Sequence, residues 1–251
     1  MKNLLVALFF SLVATAANAN CRQALALGLD VSGSVNEREY ALQREGLAQA
    51  LLSPRVSQAI FEMPDAPVRL FVFEWSANIY QRMLVDWTEL RAPSDLRLFV
   101  ENLRGAPVEN RPYSTALGGA MKFGVAQLSR HPECWRRTLD ISGDGITNDG
   151  PLPNLLFRGS EIENIVINGL VIGSGDKEGD PGAVYATDQL ATYFENTVVR
   201  GPDAFVEKAI GFDDFKAAME RKLLREMSTL ALGGWQLPAA RQWAELGHKN
   251  Q

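Results

Sequence analysis

Histidine is nearly missing from this chain: only His131 and His248 occur in 251 residues. That scarcity gives little support to an imidazole general base or a zinc site. Cysteine is equally rare, with Cys21 and Cys134 enough for a single bridge. Three nucleotide and nucleophile signatures are lacking as well. No G-x-G-x-x-G follows the first strand, and neither G-x-x-x-x-G-K-[ST] nor G-x-S-x-G occurs. Basic residues number 25 against 30 acidic ones, and no long basic run or internal repeat appears. This balance argues against nucleic acid as a partner. Beyond the first 13 residues, no apolar run is long enough to span a bilayer.

What the chain does carry begins with an export signal. Met1-Lys2, the apolar run Leu4–Val13 and Ala17-Asn18-Ala19 form a secretory signal peptide cut after Ala19. Asn20 stands where a lipid-anchor signal needs a small residue, so lipidation at Cys21 is not expected. Export to the periplasm or the medium is expected instead. Removal of 19 residues leaves 232, an ordinary size for one domain. Lys2 leaves with the signal, so 24 basic groups face 30 acidic ones, a balance of −6. The expected organisation is a signal peptide over 1–19, one domain over 20–232 and a tail over 233–251. The oligomeric state is not legible.

The pattern alternates strands with helices. Ala24–Asp30 reads as a buried strand, and Asn36–Leu52 as a helix with Tyr40, Leu47, Ala50 and Leu51 facing inward. Pro54, Pro64 and Pro67 mark a loop. Val68–Trp75 and Ile79–Trp87 form a hairpin, and Ser94–Leu103 a short helix. Further helices are expected over Thr115–Ser129, Thr187–Asn196 and Phe212–Leu230. The remaining strands are expected over Arg136–Ile141, Ile162–Ile172 and Ala204–Lys208. Such alternation implies a doubly wound α/β fold: a mainly parallel six-stranded sheet with one antiparallel edge strand. Cys21 precedes Asp30 by nine residues and Cys134 precedes Asp144 by ten. If both aspartates end neighbouring parallel strands, the cysteines sit level at the opposite strand ends, placed for a disulfide.

Ligands of such sheets gather at the carboxyl ends of the strands, where three polar segments are expected. Asp30, Ser32 and Ser34 alternate along one strand exit. Ser114 and Thr115 open a helix, and Asp144 follows another strand. Two carboxylates with three or four hydroxyls suit a small hard dication. Each segment also has a purely structural reading. Ser34 and Glu37 have capping-box spacing, Ser114 or Thr115 would make an N-cap, and Asp144 lies in a glycine-rich turn.

Asp30-x-Ser32-x-Ser34, then Thr115 with Ala120 five residues on, then Asp144-Gly145 after a strand, resembles the metal-ion-dependent adhesion site of a von Willebrand factor A domain. The resemblance spans residues 22–232, and the chain is similar to exported bacterial A-like proteins of unknown function. It implies that Ser32, Ser34 and Thr115 coordinate Mg²⁺ or Mn²⁺ directly, with Asp30 and Asp144 binding directly or through water. Ca²⁺ also accepts these ligands. A protein partner's carboxylate would complete the shell, with Arg111 and Tyr113 as possible partner contacts. Many such domains have Thr-Asp-Gly where this chain has Gly143-Asp144-Gly145, so a hydroxyl that orients the carboxylate is lost.

Several rivals remain. Asp140, Ser142, Asp144 and Gly145 mimic half an EF-hand loop, but its twelfth position is Pro151. A periplasmic metal-dependent hydrolase would need a general base or a phosphate clamp, for which Arg111 and Lys122 are the candidates. A degenerate scaffold that binds no metal is the third reading. Asp176 and Asp180 in the 173–182 loop would add a second cation or simply be solvated. Trp75 is expected in the core, His131 on the surface away from the cluster, and Trp235 and Trp243 in a docking tail.

Overall fold

The computed structural model describes residues 21–157, 162, 164–173 and 181–233, with side chains omitted at 181–185 and 228–233. The expected signal peptide, the pair Asp176 and Asp180, His248 and the tail tryptophans lie outside the described residues.

Six strands form one sheet: β1 (Cys21–Asp30), β2 (Val68–Trp75), β3 (Gln81–Leu90), β4 (Cys134–Gly143), β5 (Ile165–Ile172) and β6 (Val206–Ala209). Their spatial order is β3-β2-β1-β4-β5-β6. Among these described strands only the β2–β3 edge pair is antiparallel. All ten residues of β1 are buried, as a strand covered on both faces demands. Alternation along it separates two cores. Leu25, Leu27 and Leu29 face helices α1 (Glu37–Leu51), α2 (Pro54–Phe61), α3 (Pro93–Gly105) and α6 (Phe215–Gly233). Ala24 and Ala26 face α4 (Leu117–Leu128) and α5 (Pro181–Thr197), together with Phe71, Phe73 and Trp75.

β1 pairs with β2 on one side and β4 on the other, so the winding reverses between β1 and β4. That is the switch point at which open α/β sheets leave a crevice. Asp30 and Asp144 stand beside it. At the opposite end Cys21 pairs with Cys134 in the ladder, and the two form a disulfide. The sulfur of Cys21 is therefore not free to carry a lipid. Among the described residues no helix is long and apolar enough to cross a membrane.

The expected inner face of α1 is buried at all four positions, and Trp75 lies wholly in the core. Four local expectations are corrected. The stretch after Leu52 is not a loop. Ser53 caps α2, and Pro54, at a position where proline suits a helix start, leads into it. The capping box of α1 is Asn36 with Glu39, not Ser34 with Glu37. Asn36 Oδ1 accepts from the Glu39 N–H at 3.0 Å, and Glu39 Oε2 accepts from the Asn36 N–H at 2.9 Å. Helix α4 starts two residues late, with Ala116 as an N-cap that makes no side-chain bond. His131 is only partly at the surface: its side chain is 15% exposed and its ring lies edge-on to Trp87, 4.3 Å between centroids.

The core also holds a charged cluster. Lys222 of α6 lies 2.9 Å from Asp140 of β4 and 2.7 Å from Glu226, all three buried. Asn168 donates to Glu226 at 2.8 Å. Burial pushes the Asp140 carboxyl up to about 7; Glu226 adds to this and Lys222 opposes it. Burial works against the Lys222 charge, yet Asp140 and Glu226 outweigh it and hold the ammonium above its ordinary pKa.

Candidate metal centre

The exit of β1 is fixed before any site is formed. Gln43 donates to the Asp30 carbonyl at 2.8 Å, and the Val31 N–H donates to the Trp75 carbonyl at 2.9 Å. Below this turn, buried Glu74 accepts from Tyr40 at 2.6 Å, from Tyr80 at 2.8 Å and from Arg82 at 2.8 Å. These bonds tie α1 to the β2–β3 hairpin.

On this base the polar residues converge. Asp30 Oδ1 accepts from the Ser32 N–H at 2.8 Å, folding the chain back over its own carboxylate. Ser34 donates to Asp144 Oδ1 at 2.6 Å, and the Ser32 and Ser34 hydroxyls lie 3.3 Å apart. Since the Ser34 proton goes to Asp144, Ser32 is the donor in that second contact. Asp30, Ser32, Ser34 and Asp144 thus form one connected group.

Thr115 joins it through the backbone. The Gly33 N–H donates to the Tyr113 carbonyl at 2.9 Å, which draws the 110–115 loop onto the first turn. The loop after β4 then closes on Thr115: its N–H donates to Asn148 Oδ1 at 2.8 Å. Its carbonyl accepts from the N–H groups of Asn148 at 2.8 Å and Asp149 at 3.3 Å, and from Thr147 Oγ1 at 3.1 Å. The Thr115 hydroxyl makes no hydrogen bond among the described residues. Both capping alternatives fall away here: Asn36 and Ala116 hold the N-cap positions, so neither Ser34 nor Thr115 is occupied in that role.

The electrostatics favour a cation. Asp30 is fully buried and pushed up to about 7, first by burial and then by the neighbouring charge of Asp144. Asp144 is raised by burial and by Glu39, against the lowering effect of the Ser34 hydroxyl. Asp30 Oδ2 is buried and has no hydrogen-bond partner. It faces Gly143, where an added Cβ would stand 3.2 Å away. An unused carboxylate oxygen beside a second carboxylate and several hydroxyls fits a hard dication such as Mg²⁺. Among the described residues no group of three or more His, Cys, Asp or Glu is placed to hold a metal. Any cation here depends on hydroxyl oxygens as well as the two aspartates.

Of the expected contact residues, Tyr113 is 85% exposed. Arg111 instead lays its guanidinium over the Tyr40 ring, 4.6 Å from the centroid. The sequence reading missed Glu39 as a charge beside Asp144, although its spacing from Asn36 carried the signal. It also missed the Thr147-Asn148-Asp149 grip, a contact across more than 30 residues that local pattern does not carry.

Sheet order, antiparallel edge and site placement define a von Willebrand factor A-type fold. Residues 20–231 match the family described as a protein of unknown function, DUF1194, and the chain belongs to that family. No curated protein matches it. Solved structures of similar shape include proximal thread matrix protein 1 from the mussel byssus, at 12% identity and a TM-score of 0.55, over 83% of this chain and 48% of that one. That protein has also been solved with a zinc-occupied MIDAS motif. A von Willebrand factor type A protein from Catenulispora acidiphila matches at 12% identity and a TM-score of 0.54, over 82% and 43%. The pilus adhesin SpaC from Lactobacillus rhamnosus GG matches at 14% and 0.56, over 84% and 30%. The chain spans less than half the length of each, and at such identities the likeness is one of fold alone.

Proposed function

We propose that this chain is an exported, metal-dependent protein-binding module. Asp30, Ser32, Ser34, Thr115 and Asp144 would hold Mg²⁺, Mn²⁺ or Ca²⁺, and a protein partner's carboxylate would fill the remaining position. The observation that carries this reading is the pairing of Asp30 and Asp144 in one hydrogen-bonded group that leaves Asp30 Oδ2 buried and unused. The bound cation would supply charge neutralisation and a bridge to an acidic ligand. The chain's own residues supply the cup and an exposed Tyr113 beside it. The disulfide supports export to an oxidising compartment.

The role is recognition rather than turnover. His131 is packed on Trp87, and Arg111 is stacked on Tyr40 rather than aimed at the group. Hydrolysis of a phosphoester by the chain, lost in Asp144→Ala, would overturn this.

The test is thermal melting in chelator and in each cation. A ligand that binds only the folded chain stabilises it by about 2.7 kcal/mol at a hundredfold excess over Kd. The wild-type shift should vanish in Asp30→Ala and Thr115→Ala. Capture of an envelope protein by the wild type, abolished by chelator and by Asp30→Ala, supports the bridge. Full capture by Asp30→Ala in chelator overturns it.

A further inference from the structure

Both backbone groups of Thr115 are held by a single loop, and that loop also carries Asp144. The Asn148 side chain takes the Thr115 N–H, while Asn148, Asp149 and Thr147 all donate to its carbonyl. The same loop is pinned at its far end. Asp149 Oδ2 accepts from the Asn78 N–H at 2.9 Å. Gly150 has φ +70°, and an added Cβ there would stand 2.6 Å from Asn78 Oδ1. The Pro151 carbonyl lies against Gly118 of α4, where a Cβ would approach to 2.0 Å. The strap from Asp144 to Pro151 is therefore fastened to the hairpin, to α4 and to Thr115.

We infer that Asn148 is the positioning residue of the metal centre, clamping Thr115 to the Asp144 strap so that the two ligands sit as one rigid unit. This rests on the metal-binding reading above. Position 116 adopts φ −118° and ψ 71°, outside the helix, and caps α4 without a side-chain bond. The threonine before it thus lies outside the helical ladder, and the strap supplies its backbone partners instead. With the backbone fixed on both sides, the Thr115 hydroxyl remains available to a cation. The Asn148 amide makes no claim on the metal itself; it acts by holding the ligand's backbone.

The test compares the wild type, Asn148→Ala and Asn148→Asp, the last of which keeps an acceptor for the Thr115 N–H. Two readouts are needed: hydrogen exchange at the Thr115 amide in chelator, and Mg²⁺ and Mn²⁺ affinity by calorimetry. In N148A the Thr115 amide should lose protection in the metal-free chain. Metal affinity should fall about 10–100-fold, the range for loss of an outer-shell partner. N148D should restore the protection and most of the affinity. Lost protection in N148A with unchanged affinity would overturn the inference while leaving the metal reading standing. Failure of the wild type to bind either cation would overturn both. If N148A does not fold, Thr147→Val removes the hydroxyl's bonds to the Thr115 and Asp149 carbonyls and leaves Asn148 in place. Weaker Mg²⁺ binding in T147V then supports the inference, and unchanged binding overturns it.

Discussion

Ser34 and Asp144, 110 residues apart, are joined by a 2.6 Å hydrogen bond in which the serine hydroxyl donates to the carboxylate. Asp144 is thereby partly satisfied, whereas Asp30 keeps one oxygen unmatched in the interior. The cost of that arrangement falls on Asp30 and sets the first prediction.

In the metal-free chain Asp30 should be a liability at neutral pH. Its folded pKa of about 7 lies above the ordinary 3.8. Between those values the folded state holds a proton that the unfolded state has released. Stability therefore falls as pH rises from about 4 to about 7 and does not recover above that. In chelator Asp30→Asn should melt higher than the wild type at pH 8, and the two should converge near pH 4. The scale is ~2–4 °C for each kcal/mol in a chain of this size. Asp140 titrates in the same window, so the comparison must be wild type against D30N rather than one protein across pH. A lower melting point for D30N at pH 8 would contradict the assignment.

Breaking the buried ion cluster should be severe. Lys222→Met leaves Asp140 and Glu226 without their cation in the core and should cost ~3–5 kcal/mol in urea unfolding. Replacing the acids as well, as Asp140→Asn and Glu226→Gln, should recover much of that loss. A triple variant no better than K222M would show that shape rather than charge dominates the site.

The approach of Pro151 to Gly118 gives a steric test. Gly118→Ala places a methyl group against the Pro151 carbonyl and should destabilise the chain by about 1–3 kcal/mol. Gly105→Ala, at the end of α3 with nothing within 4 Å, is the control and should be neutral or mildly stabilising. Equal melting points for the two variants would refute the close contact.

The disulfide should contribute stability without touching the site. Cys21 and Cys134 are 113 residues apart in sequence. Their replacement by serine should cost ~2–5 kcal/mol by urea titration. Cation affinity of the folded variant should stay unchanged, because the bridge lies at the other end of the sheet. A parallel loss of affinity would mean that the β1–β4 register is not held by the ladder alone.

Much of the architecture was legible because the strands announce themselves. β1 and β5 are rich in apolar residues, with Ala24–Leu29 unbroken and β5 interrupted only at Asn168, and the spacing of Cys21 and Cys134 before Asp30 and Asp144 matched the β1–β4 register to within one residue. Helix ends were harder. Ser34 with Glu37 and Asn36 with Glu39 have the same spacing, and only the turn that folds Ser32 over Asp30 decides between them. Helix α2 hid behind Pro54, read as a breaker where it begins a helix. In the candidate site, the meeting of Asp30, Ser32, Ser34 and Asp144 was legible from residue type and position. The grip of Asn148 on Thr115 was not, since an asparagine in a Gly/Asp-rich loop looks like any turn residue until two distant segments meet.

The covalent staple between the two central strands also bears on force. A pull entering the sheet through the start of β1 meets a chemical bond to β4 at the first residue, before any ladder bond is strained. Peeling of the middle strand from that end is blocked, and tension passes sideways into the neighbouring strand. The end of the sheet opposite the candidate site is thereby anchored against unzipping.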